Sequence, residues 1–69
     1  MPLLLATIGV PYTVIRVGGR EKDRHYLESL GFLPGAVVTV VSKFNHYVLV
    51  NIKGSRIGIS GDLAKKIII

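Results

Sequence analysis

The sequence predicts a mainly β fold: a small curled barrel of about five short strands, with one short helix inserted after the first strand. Three observations predict it. Tyr47 to Lys53 and Arg56 to Ser60 alternate in polarity with the period of strands that bury one face. The two-residue separators Asn45-His46 and Gly54-Ser55 divide the β-prone runs as tight hairpins do. Only Glu21 to Leu30 combines helix formers with apolar residues three apart. Several hairpins in so short a chain favour closure, because a rolled sheet hides edges that an open one exposes.

Met1 to Ile15 has no charged side chain, yet Pro2, Gly9 and Pro11 break it into pieces too short to cross a hydrocarbon core. It has no basic leader and no small-residue cleavage site, so it reads as a lead-in packed on a small core. Tyr12 to Val17, rich in β-branched residues, reads as the first strand, ending at a Gly18-Gly19 turn. In the helix, Glu21 and Asp23 lie in the first turn, where the helix dipole favours acids. Leu27 and Leu30 share its apolar face with Tyr26 beside them.

Gly31 suits the position just past the helix, where a left-handed backbone is needed, and Phe32 is expected to fold back on Leu27 or Tyr26. Leu33-Pro34-Gly35-Ala36 reads as a type II turn, with proline setting φ at the second position and glycine supplying positive φ at the third. Leu30, Gly31, Pro34 and Gly35 therefore form a rigid structural corner. Ala36 to Phe44 follows as a strand. In the next, Val48, Val50 and Ile52 are expected to face inward and Tyr47, Leu49, Asn51 and Lys53 outward. Ile57 and Ile59 point inward from the strand after that, and a helical turn over Asp62 to Lys65 leads to a last strand, Ile67 to Ile69.

A chain of 69 residues holds one domain and one small core. Cysteine is absent, which excludes disulfides and thiolate metal sites and agrees with a reducing cytoplasm. The residues are 49% hydrophobic and the mean hydropathy is +0.51, more apolar surface than so small an interior needs, so part of it is expected to meet a partner. Nine Lys and Arg against four Asp and Glu give a net charge of +5, which favours anionic surroundings.

This order of residues resembles the FeoA family, small cytoplasmic proteins encoded with the bacterial ferrous iron transporter FeoB. The resemblance covers nearly the whole chain. It runs through Val14-Ile15, Gly18-Gly19, Arg24, Leu27, Leu30-Gly31-Phe32-Leu33-Pro34-Gly35, Val40-Val41, Ile52-Lys53-Gly54, Ala64 and Ile67 to Ile69. The L-G-x-x-P-G corner is its most specific part. The resemblance implies an SH3-like barrel with the helix on one side. It also implies a non-enzymatic, cytoplasmic role in iron uptake, in contact with the cytosolic part of FeoB and so close to the membrane. A related barrel ends certain metal-responsive repressors, which makes metal-dependent regulation an alternative. Many family members carry a proline-flanked acidic loop, roughly P-x-G-D-P, where this chain has only Phe44-Asn45-His46-Tyr47.

The residues themselves favour binding over chemistry. Ser29, Ser42, Ser55 and Ser60 have no evident base and orienting partner beyond a Ser42–His46 approach that turn polarity explains as well, so no catalytic residue is expected. Gly18-Gly19-Arg20 lacks the Gly-Lys-Ser/Thr ending of a phosphate-binding loop. His25 and Glu28, three apart on the helix, are the best metal ligands available, with Asp23 or His46 as a third. Two or three surface ligands fall short of a four-ligand structural site, so no metal and no cofactor are expected.

The competing class is a basic small barrel that binds nucleic acid, but the cations are spread over several loops and no aromatic-basic stripe is visible. Outward-facing apolar residues point instead to a protein-binding face made from Tyr26, Phe44, Tyr47, Leu49 and Ile68, unless the helix covers Leu49 and Tyr47. Spare apolar area and open strand edges also make a homo-oligomer possible.

Overall fold

The computed structural model describes residues 1–69. A single 3-10 turn, Leu3–Leu5, precedes β1 (Pro11–Thr13), β2 (Arg16–Val17) and α1 (Glu21–Ser29). There follow β3 (Val37–Phe44), β4 (Tyr47–Ile52), β5 (Ser55–Ser60), the short α2 (Gly61–Ala64) and β6 (Ile67–Ile68). The fold is mainly β, with six strands in two antiparallel sheets: β1-β3-β4-β5 and β2-β6. No helix is long and apolar enough to cross a membrane.

The expected first strand is two strands. Val14 N–H donates to the Ala36 carbonyl at 2.8 Å and Ile15 N–H to the Ile68 carbonyl at 2.7 Å, so adjacent residues bond to different sheets. The chain bends there, and Val14 turns into the core at 1% exposure. One continuous segment thus joins the sheets covalently, while no ladder links β5 to β6.

The corner after α1 forms as the residue order dictates. Phe32 N–H bonds back to the Leu27 carbonyl at 3.1 Å and Gly31 N–H to the Glu28 carbonyl at 3.0 Å, the paired bonds of a Schellman cap. Gly31 has a φ of +108°, and a Cβ there would lie 3.3 Å from the Lys53 side chain. Phe32, fully buried, packs in the same core as Leu27, whereas Tyr26 stays 51% exposed. Ala36 N–H then closes the next turn on the Leu33 carbonyl at 2.9 Å, with Gly35 at a φ of +91°.

The second hairpin turn lies one residue earlier than the sequence predicts. Ile52 faces Ser55, so the turn residues are Lys53 and Gly54, at φ of +50° and +76°, not Gly54 and Ser55. A primed turn takes positive φ at its central residues, which matches the strand twist and leaves Ser55 to begin β5. The inward set is as expected: Val48, Val50, Ile52 and Ile59 are buried, and Ile57 packs against the core from the open side of β5. The apolar lead-in also joins the core, with Leu3 and Ala6 buried.

A further device is the register shift between Val40 and Ser42, which makes Val41 an extra residue in β3. Val38 and Val40 point inward before it. After it the parity is reversed: Lys43 lies opposite inward-facing Val48, and Phe44 lies opposite Tyr47 on the outer face. Lys43 fits an inward position because its ammonium reaches the Ala6 carbonyl at 2.8 Å.

Lys66 ties the C-terminal segment to α1 by donating to the Asp23 carboxylate at 2.6 Å, with both side chains about a third exposed, at 32% and 30%. This bond holds the Asp23 carboxyl below its usual pKa. Because folding lowers that pKa, the stabilisation is complete above the unfolded value and is lost as pH falls through the folded one. The melting temperature of the native chain should therefore fall more steeply than that of Asp23→Asn on acidification from about pH 5 to about pH 2. Parallel curves would remove the pair from the acid response.

Candidate docking face

The outer face of β3, β4 and β5 brings together three of the five residues expected to bind a partner. Phe44 and Tyr47 stand directly opposite each other across the hairpin, 55% and 59% exposed. Leu49, half-buried, sits between Ser42 on β3 and Gly58 on β5. Gly58 leaves a bare floor beside it, since nothing lies within 4 Å of where its Cβ would be. At the far end, Arg56 faces Asn51 and donates from Nε to its Oδ1 at 3.3 Å. The α1 helix packs beside β2 rather than over this face, so it does not cover Tyr47.

The other two residues lie elsewhere. Tyr26 is on α1, and Ile68 is half-buried on β6, paired with Arg16 and bridged to Pro2. The aromatic pair was visible in the sequence, but the bulge that turns Phe44 outward was missed. Its one signal is the pair Ser42-Lys43, which interrupts the apolar alternation of Val38 and Val40.

The expected metal ligands do not converge. His25 Nε2 lies 3.3 Å from Glu21 Oε1, one turn back along the exposed helix surface, rather than pairing with Glu28. Asp23 is engaged by Lys66, and His46 lines a separate open cleft of about 230 Å³ with Leu4, Asn45, Ser60, Asp62 and Lys65. No group of three or more His, Asp or Glu side chains comes together. Ser42 faces Leu49 and makes no hydrogen bond with His46. Ser60 accepts from Leu63 N–H at 3.2 Å, capping α2. The arrangement offers contact area and open backbone bonding groups.

Solved structures share this fold. An iron uptake regulatory protein, FeoA, is 26% identical, with a TM-score of 0.89 over 97% of this chain and 91% of its own. The zinc complex of FeoA from Stenotrophomonas maltophilia, described as a prokaryotic SH3 domain protein, is 23% identical, with a TM-score of 0.87 over 99% of this chain and 87% of that one. A manganese-dependent transcriptional repressor shares the fold at 20% identity and a TM-score of 0.87, and this chain, 97% of which is covered, spans 39% of its length. No curated protein sequence matches the chain. The FeoA domain model matches residues 1–69 in full, and with the corner, the bent first segment and the meander in their places, the chain belongs to the FeoA family.

Proposed function

We propose that this protein is a non-enzymatic, cytoplasmic accessory of bacterial ferrous iron uptake. Its SH3-like barrel docks through the outer face of β3 and β4 on the cytosolic part of FeoB and biases the transporter's working cycle. Family membership supports the iron transport role. The observation that carries the docking face is the exposed Phe44–Tyr47 pair with Leu49 beside it, held outward by the bulge at Val41 and left open by α1. Large aromatics in a rigid patch are the usual anchors of protein interfaces, and a preformed sheet loses little freedom on binding. The charge of +5 further favours a position beside the anionic inner leaflet.

A pull-down with the soluble cytosolic domain of FeoB tests this. The native chain should retain the domain, and Leu49→Asp and Tyr47→Ser should each weaken retention by about tenfold or more, equivalent to about 1.4 kcal/mol. Thermal melts of both variants separate lost docking from lost folding. Absence of retention by the native chain would overturn the reading. Strong binding to unrelated oligonucleotides, falling steeply with salt, would favour the nucleic-acid class instead.

A further inference from the structure

The sheet has one long open edge. Most strand edges in this fold are closed or blunted: β1 has three residues and begins with Pro11, and the far side of β6 is bridged by Pro2. The β5 strand runs for six residues without proline, with Arg56 its single charge, and only β4 pairs with it. Proteins usually protect such edges with prolines, added charges or a covering element.

The ladder shows which groups are free. Gly61 N–H donates to the His46 carbonyl at 2.6 Å, which sets the parity: Ile59, Ile57 and Ser55 exchange bonds with β4. The N–H and C=O of Arg56 and Gly58 point the other way. Both residues are exposed, and Ile57 between them is half-buried although its side chain faces the core. The free edge adjoins the Gly58 floor and Leu49, so a strand laid along it extends the docking face without a break.

We infer that β5 receives an extended acidic segment of the partner as an added strand, bonded to the backbone of Arg56 and Gly58. Charge selects this occupant. Arg56 is held over the outer face through Nε, and its terminal nitrogens make no ion pair within the chain, so they are free to meet a carboxylate. A second copy would bring another chain of charge +5 to the same edge. Backbone bonds of this kind give affinity, and alternate side chains give specificity.

The inference rests on the docking reading above, and the experiment separates the two. Amide exchange of Arg56 and Gly58 is measured with and without the FeoB cytosolic domain, and both amides should slow by about tenfold or more in the complex. Gly58→Pro removes the outward N–H, which makes no bond to β4, whereas Gly58→Ala adds a Cβ to the same floor and keeps that N–H, so retention should be weaker by about tenfold or more in Gly58→Pro than in Gly58→Ala. Arg56→Glu should also weaken it. Retention with unchanged exchange at both amides overturns strand addition and leaves the docking face standing. No retention by the folded native chain overturns both. Exchange is read on the native chain, so the outcome does not depend on how Gly58→Pro folds.

Discussion

Phe32→Ala should abolish the cooperative thermal transition, or leave only a broad one well below that of the native chain. Phe32 is the largest fully buried side chain, and truncating a buried phenylalanine costs about 3–5 kcal/mol. A domain of this size holds little more than that in total. The position also ends α1, since Phe32 N–H makes the longer bond of the cap to Leu27. Without the ring, the helix loses the contact that fixes its angle against the sheet. Circular dichroism followed through a temperature ramp reads the result, and a native-like transition would show that the corner is not a centre of the core.

That corner was legible because its information is local. Leu30-Gly31-Phe32 and Leu33-Pro34-Gly35-Ala36 specify backbone angles through glycine and proline, and both turns form as read. The inward faces of β4 and β5 were legible for the same reason, since alternation is a property of neighbours. The features that escaped are decided at a distance. Nothing near Val14 and Ile15 announces that they bond to different sheets, because their partners, Ala36 and Ile68, are far along the chain. Lys53 at a positive φ is similarly silent, as lysine shows no preference for that region. Of the candidate docking face, Phe44, Tyr47 and Leu49 were legible as outward-facing residues and Tyr26 and Ile68 lie elsewhere, while the bulge that aims Phe44 depends on the pairing of β3 with β4.

Leu3→Ala should destabilise the protein by about 2–5 kcal/mol, although it lies in a stretch that reads as a lead-in. Leu3 is fully buried, and the turn that carries it packs against α2. Leu5, two residues on, is 66% exposed, so Leu5→Ala provides an internal control expected to move stability by only about 0.5 kcal/mol. Urea unfolding distinguishes them, because a chain this short has a slope near 1 kcal/mol/M and Leu3→Ala should therefore shift the midpoint by about 2 M or more. Equal midpoints for the two variants would show that residues 3–5 lie outside the cooperative unit.

The β2–β6 pair, Arg16 with Ile68 and Val17 with Ile67, also sets an order of events. The β3-β4-β5 meander is joined by two-residue turns and can assemble from its own neighbours. The short ribbon must instead gather positions from nearly opposite ends of the sequence, and that long loop closes only once the meander offers a surface to close upon. Loop-closure entropy alone would make it the last step of folding and the first of opening. Lys66 and its hold on α1 would open with it, and amide protection should then be lost in α1 before it is lost in the hairpin carrying Phe44 and Tyr47.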